Sequence, residues 1–172
     1  DGLTLTGSSA SGISLYVKGS GATASLNGTI TSANAVLIDD AVVLDINSAT
    51  IDTSASNANV TITGGNAGIY SNLGLNNSLT ITAGTGTVIL GNQTGFGDNA
   101  GTDSFVNNLT VDAGHTVLGA GGAQQLNGSL NITGTSELNG TITTLGSQTY
   151  NGSAALNGDT TLNGTILSLA SG

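Results

Sequence analysis

Residues 126–164 read LNGSLNITGTSELNGTITTLGSQTYNGSAALNGDTTLNG, and in this stretch an apolar-Asn-Gly tripeptide recurs every 12 residues. The four copies begin at Leu126, Leu138, Tyr150 and Leu162. Each offers one apolar side chain that can point inward, followed by an Asn-Gly pair suited to the positive φ of a corner. A fixed repeat of this kind predicts a solenoid, in which equivalent positions of successive coils stack about 4.8 Å apart.

A second repeat predicts the strands. Apolar residues alternate with Thr, Asn or Asp, which is the period-2 pattern of a half-buried strand, and no stretch shows helical spacing. The copies start at Leu3, Val60, Leu79, Leu109 and Leu130, as in Leu79-Thr-Ile-Thr-Ala-Gly. Hairpins of a sandwich could also alternate in this way, but a sandwich does not require one tripeptide at a fixed interval.

These repeats together predict an all-β chain with almost no helix, folded as a β-solenoid. We expect coils of about 20–24 residues, with two 12-residue units per coil near the C-terminus, and roughly seven or eight turns extending about 35 Å. Residues 1–172 are interpreted as a single β-solenoid segment of a longer chain. The excess length between Leu79 and Leu109 predicts a loop insertion at about 94–104.

The composition argues against nucleic-acid binding, membrane insertion and disulfide formation. Only 6% of the residues are charged, and a single Lys without Arg leaves a formal net charge of −9. This charge would repel phosphate backbones and anionic lipids, and no apolar run approaches the roughly 20 residues of a membrane span. We therefore expect no nucleic-acid partner and no direct membrane insertion. The chain has no Cys, so disulfides are excluded and stacking must supply the stability.

Three segments resemble the repeat regions of filamentous-haemagglutinin-like exoproteins, and the resemblance covers most of the chain. They are Ser78–Gly91 (SLTITAGTGTVILG), Gly146–Gly152 (GSQTYNG) and Leu156–Thr165 (LNGDTTLNGT). Large autotransporter passengers and other repetitive bacterial adhesins share this low-charge composition, which is rich in Gly, Thr and Asn. The resemblance implies a right-handed parallel β-helix exported by two-partner secretion or as an autotransporter. It further implies location outside the cell or on the bacterial surface, in a stalk used for attachment, aggregation or biofilm formation.

Titratable groups are too few and too scattered to predict catalysis. The densest cluster, Asp39, Asp40, Asp45 and Asp52, is the one enzyme candidate, since convergent carboxylates can hydrolyse polysaccharides. Asp39 and Asp40 would point to opposite faces of a strand, however, and a turn explains both. His115 lacks a second His or a Cys and is interpreted as a solvated turn residue. The sequence therefore predicts a protein that is not an enzyme and needs no cofactor.

The insertion offers the candidate ligand site. Asp98, Asn99 and Asp103 lie beside glycines and resemble half of a calcium-binding nonapeptide, so they are calcium candidates, although such sites normally need stacked repeats. Phe96 and Phe105, with Asp98 and Asp103, could form a binding loop with a small sugar-stacking face. Anchoring of the loop on the coil is the favoured role of the two Phe residues.

Ten Asn-x-Ser/Thr sequons occur, and some resembling adhesins are glycosylated at such sites. A chain rich in Asn, Ser and Thr produces many sequons by composition alone. The candidate glycosylation sites that we single out are Asn27, Asn127, Asn139, Asn151 and Asn163.

Three functions remain open at this point. The leading hypothesis is a stiff, non-catalytic shaft segment of a secreted bacterial adhesin. The second is a module that binds host or matrix glycans or proteins, or other copies of itself, with end-to-end stacking of solenoids as one mode. The third is ice binding, because Thr-x-Thr recurs along the chain and flat Thr ladders on solenoids are known ice-binding surfaces. The spacing of these motifs is uneven, which favours ordinary solvated strand faces over an ice face.

Overall fold

The protein is all-β in the part of the chain that the structure, a computed structural model, describes: residues 6–7, 15–45, 47–63, 68–72, 74–91, 104–119 and 124–170. Fifteen strands form one sheet, and every pairing between them is parallel, which confirms the predicted parallel β-helix. The one helix among the described residues is a 3-10 turn at Ser54–Ser56. The strands are β1 (Thr6–Gly7), β2 (Leu15–Leu26), β3 (Thr29–Ser32), β4 (Val36–Leu44), β5 (Ser48–Asp52), β6 (Val60–Ile62), β7 (Ile69–Ser71), β8 (Ser78–Thr82), β9 (Thr87–Leu90), β10 (Leu109–Leu118), β11 (Gln124–Leu126), β12 (Leu130–Thr144), β13 (Ser147–Tyr150), β14 (Ala154–Asn163) and β15 (Ile166–Leu169).

Strand pairing sorts the strands into three stacks, which we name faces A, B and C. Each long strand bends at a corner and contributes to more than one face; β12 alone pairs with β10, β11, β13 and β14. Face A contains β1, β3, β5, β8, the starts of β10 and β12, β13 and β15. Face B contains the starts of β2 and β4, then β6, β9, the end of β10, the middle of β12 and the start of β14. Face C contains the ends of β2 and β4, β7, β11 and the ends of β12 and β14.

The coils differ in length. On face A the successive register steps are 25, 21, 30, 30, 21, 18 and 19 residues. Seven steps agree with the predicted seven or eight turns. The prediction of two 12-residue units per coil near the C-terminus is wrong, because the four copies fall in turn on faces C, B, A and C. In an 18-residue coil with three faces, a 12-residue repeat advances by two faces.

The core consists of aliphatic ladders that run along the solenoid axis. On face A, Ile30, Ile51, Ile81, Val111 and Ile132 occupy one in-register ladder, and all are buried. Burying each such side chain contributes roughly 1.5–3 kcal/mol. Because every coil covers the apolar surface of the coil before it, the stability grows with the number of stacked coils.

Glycines line the corner between faces A and B. The backbone N–H of Gly114 donates to the carbonyl oxygen of Gly86 at 3.0 Å. A Cβ on Gly134, which has a φ of +85°, would overlap the carbonyl oxygen of Ala113, and a Cβ on Gly152 would overlap that of Gly134. The backbones of successive coils approach closely at these positions because glycine carries no side chain.

One coil near the C-terminus replaces two aliphatic side chains by a polar pair. Gln148 and Tyr150 occupy the ladder positions of Leu130 and Ile132, and both are buried. The Tyr150 hydroxyl donates to Oε1 of Gln148 at 2.9 Å, and Nε2 of Gln148 donates to the backbone oxygen of Ile142 at 3.1 Å. Burial raises the pKa of the Tyr150 phenol well above its usual range. The pair therefore stays neutral and hydrogen-bonded inside the core.

Candidate functional site

The first two residues of the carboxylate cluster lie at a bend within β4. Oδ1 of Asp39 accepts a hydrogen bond from Oγ1 of Thr63 at 2.9 Å. Asp40 is buried, and its Oδ1 accepts from the backbone N–H of Ala41 at 2.9 Å. The expected turn is instead a corner in a continuous strand, because β4 pairs on face B before the bend and on face C after it. Both carboxylates therefore accept hydrogen bonds at that corner.

The other two carboxylates of the cluster lie on different faces. Asp45 follows face C, where its side chain accepts hydrogen bonds from Ser25 and, at 2.8 Å, from Nδ2 of Asn72. Asp52 ends β5 on face A, where the hydroxyl of Ser54 donates to Oδ1 at 2.6 Å and its backbone N–H at 2.9 Å. These two hydrogen bonds lower the pKa of Asp52. The four carboxylates therefore have separate local partners.

His115 lies in β10 rather than in a turn. Its Nδ1 is 2.8 Å from Oγ1 of Thr135, and its Nε2 is 3.5 Å from Oε1 of Glu137, both one coil further on. The prediction of a merely solvated turn residue is wrong, because the ring links two coils on the outside of face B. In the described ranges, no three His, Cys, Asp or Glu side chains are grouped so that they could hold a metal ion.

Most of the insertion lies outside the described residues. Phe96, Asp98, Asn99 and Asp103 belong to that part, so the calcium and binding-loop hypotheses stay predictions. The described chain resumes at Ser104, whose backbone N–H donates to the carbonyl oxygen of Ser71 at 2.9 Å and whose own carbonyl oxygen accepts from the N–H of Ser71 at 2.8 Å. The Phe105 side chain beside it is half-buried.

The candidate glycosylation sites differ in exposure. Asn151 and Asn163 are exposed, whereas Asn27, Asn127 and Asn139 are half-buried. Nδ2 of Asn151 donates to Oδ1 of Asn131, one coil earlier, at 2.9 Å. Since a hydrogen-bonded amide must break this bond to accept a glycan, Asn163 is the more accessible of the two exposed sites. Modification stays a prediction at all five.

The outward side of face A carries a ladder of seven polar residues in register. Five are Thr, all are at least partly exposed, and none is charged. We name this set the threonine ladder: Thr29, Thr50, Thr80, Thr110, Asn131, Thr149 and Ser168. The spacing along the sequence is uneven because the coils differ in length, yet the strands of face A remain aligned. The uneven motif spacing therefore does not exclude a stacked Thr face.

A second outward ladder runs beside the first, two residues further along each strand. It consists of Thr31, Asp52, Thr82, Asp112 and Thr133. Among the Thr-x-Thr motifs within the described residues, those at Thr29 and Thr80 place both threonines in these ladders. The remaining members belong to relatives of the motif, such as Thr50-Ile-Asp52. A search that also allowed Asn and Asp at the outer positions would have found all of these except Ser168-Leu-Ala170.

Face B provides an internal comparison. The corresponding outward ladder there mixes aromatic, aliphatic, hydroxyl and acidic side chains. Its members are Tyr16, Leu37, Thr61, Ile89, Val117, Glu137 and Ala155. A parallel strand thus tolerates many outward residue types in this protein, and the uniform polarity of face A is a feature of that face.

Exposed aliphatic side chains are concentrated in the last described coil. Leu156, Leu167 and Leu169 continue inward ladders of faces A and B, yet each is about half exposed, at 54%, 49% and 50%. No described strand pairs with the outer edge of β15, which bonds only β13. These residues form an apolar surface suited to a further coil, and end-to-end stacking stays a prediction.

Comparison with known proteins identifies no family. No family model, no curated protein and no solved structure matches the chain. No helix in the described part of the chain is long and apolar enough to cross a membrane. The interpretation of function therefore depends on the geometry and on the resemblance found in the sequence.

Proposed function

We propose that this chain is a shaft segment of a secreted bacterial surface adhesin, acting as a stiff, non-catalytic spacer. The observation that carries the proposal is the unbroken stacking of eight strands on face A through seven register steps, with aliphatic ladders beneath it. The adhesin setting and the bacterial surface are supported by the resemblance to filamentous-haemagglutinin-like repeats.

Stiffness follows from the direction of the bonds. In a parallel solenoid the backbone hydrogen bonds between strands run along the axis. Each coil is joined to the next by strand pairs on faces A and B, and on face C except between β7 and β11. The core ladders add apolar contact along the same direction. Bending the axis would open hydrogen bonds on one face and compress side chains on another, and both changes are costly in a close-packed interior.

Distances between spin labels test the spacer directly. The chain has no Cys, so pairs of labelled cysteines can be placed at Thr29 and Ser168, six coil steps apart, and at Thr29 and Thr110, three steps apart. We expect two narrow distributions whose backbone separations are about 29 Å and 14 Å, because each step adds about 4.8 Å. Broad distributions, or distances that do not grow with the number of steps, would contradict a stiff shaft.

A glycan and matrix-protein array distinguishes the shaft from the binding-module alternative. A plain spacer should not be retained on the array, whether or not residues 94–103 are deleted. Retention of the wild-type chain that disappears with this deletion would favour the module and assign binding to the insertion. Equal far-UV circular dichroism of the two proteins is the control for folding.

A further inference from the structure

We infer that face A is an ice-binding surface, formed by the threonine ladder and the ladder beside it. This function is separate from the spacer role, because it depends on the outward side chains of one face and not on the stiffness of the coil. The outward residues of face A are regularly spaced in two directions. Outward residues on face A repeat about every 4.8 Å along the axis and roughly every 6.6 Å along a strand, which produces a two-dimensional array.

Threonine suits such an array for two reasons. Its hydroxyl both donates and accepts hydrogen bonds, so it can replace a water molecule within an ordered layer. Its branched Cβ restricts χ1, so the hydroxyls are held in place before any contact is made and little side-chain entropy is lost on binding. Charged groups would instead hold water in their own hydration geometry, and the threonine ladder contains none.

The length of the array points to a periodic partner. A small ligand would contact two or three residues, whereas seven equivalent positions gain affinity only if the partner repeats as well, since many weak contacts then act together. Ice and an insoluble polysaccharide are both periodic. Saccharide sites are typically lined by aromatic side chains, but the aromatic residue on face A, Tyr150, is buried in the core. This difference favours ice.

Two acidic residues interrupt the run of threonines in the second ladder. Asp52 and Asp112 flank Thr82 in register. The carboxylate of Asp52 is engaged by Ser54, whereas the Asp112 side chain is exposed. Replacing Asp112 by Thr would join Thr82 to Thr133 in an uninterrupted run. The structure therefore offers a variant that should bind ice better than the natural chain does.

Thermal hysteresis and ice-crystal shaping test the inference. We expect the wild-type chain to shape ice crystals and Thr80→Lys, in the middle of the threonine ladder, to lose this effect. Thr61→Lys is the matched control, because Thr61 is a half-buried outward Thr on face B, and it should leave the effect unchanged. Asp112→Thr should increase the hysteresis. Circular dichroism and melting curves establish that each variant is folded.

Each contrary outcome overturns the inference. A folded wild-type chain without hysteresis or shaping would exclude ice binding. Equal losses in Thr80→Lys and Thr61→Lys would show that the effect does not depend on face A. Retention on cellulose or chitin that Thr80→Lys abolishes, without any effect on ice, would assign the same face to a polysaccharide.

Discussion

Replacing Gly134 by Ala should lower the free energy of unfolding by roughly 3 kcal/mol or more. Gly134 lies at the corner between faces A and B with a φ of +85°, a conformation that L residues with a side chain adopt only at a cost. Its added Cβ would also overlap the carbonyl oxygen of Ala113 in the preceding coil. Because that atom belongs to backbone, relief of the overlap requires the two coils to separate locally. Urea denaturation followed by circular dichroism measures the effect.

Gly74→Ala is the matched control for this prediction. Gly74 has a similar φ of +77°, but a Cβ there would meet no atom within 4 Å. The control therefore carries the conformational cost alone, about 1–2 kcal/mol. Equal losses of stability in the two variants would mean that the coils are not closely apposed at Gly134, which is contrary to the glycine-lined corner.

Ile81→Asn should destabilise the protein by at least about 4 kcal/mol. Ile81 is fully buried between Ile51 and Val111 in the central ladder of face A. The substitution removes aliphatic contact with both neighbouring coils and places an amide where no polar partner is available. Loss of either contact would weaken one interface between coils, and loss of both should make unfolding less cooperative. Equilibrium denaturation measures both the midpoint and the slope of the transition.

Thr80→Asn is the control, because Thr80 precedes Ile81 but points outward. Asn already occupies the threonine ladder at Asn131, so the amide is compatible with this position. We expect the free energy of unfolding to change by no more than about 0.5 kcal/mol. A larger loss in Thr80→Asn than in Ile81→Asn would reverse the inward and outward assignment of β8 and contradict the core described above.

The alternation of single residues allowed the fold class to be predicted from sequence. In Leu79-Thr-Ile-Thr, the two residues predicted to face inward are fully buried and the two threonines are not. The repeat copies that start at Leu79, Leu109 and Leu130 also stack in register on one face. Local pattern is sufficient for these features because burial alternates with every residue of a strand.

Register was the part that the sequence could not supply. A 12-residue repeat is compatible with half of a 24-residue coil or with two thirds of an 18-residue coil, and only the pairing partners distinguish them. The threonine ladder could not be predicted for the same reason. Connections of different length separate its members along the sequence, although they stack directly on face A. The partners of His115 were missed because Thr135 and Glu137 lie a full coil away in the sequence.

Disulfide formation between introduced cysteines tests the central claim, the in-register stacking of three-faced coils, most directly. The described register places Asn131 opposite Thr149, 18 residues later, at a separation within the usual Cα–Cα range of disulfides. A 24-residue coil would instead place Asn131 opposite Ala155, which here lies on face B. We predict that the pair at residues 131 and 149 cross-links completely on mild oxidation and that the pair at 131 and 155 does not. Cross-linking of the second pair but not the first would contradict the account.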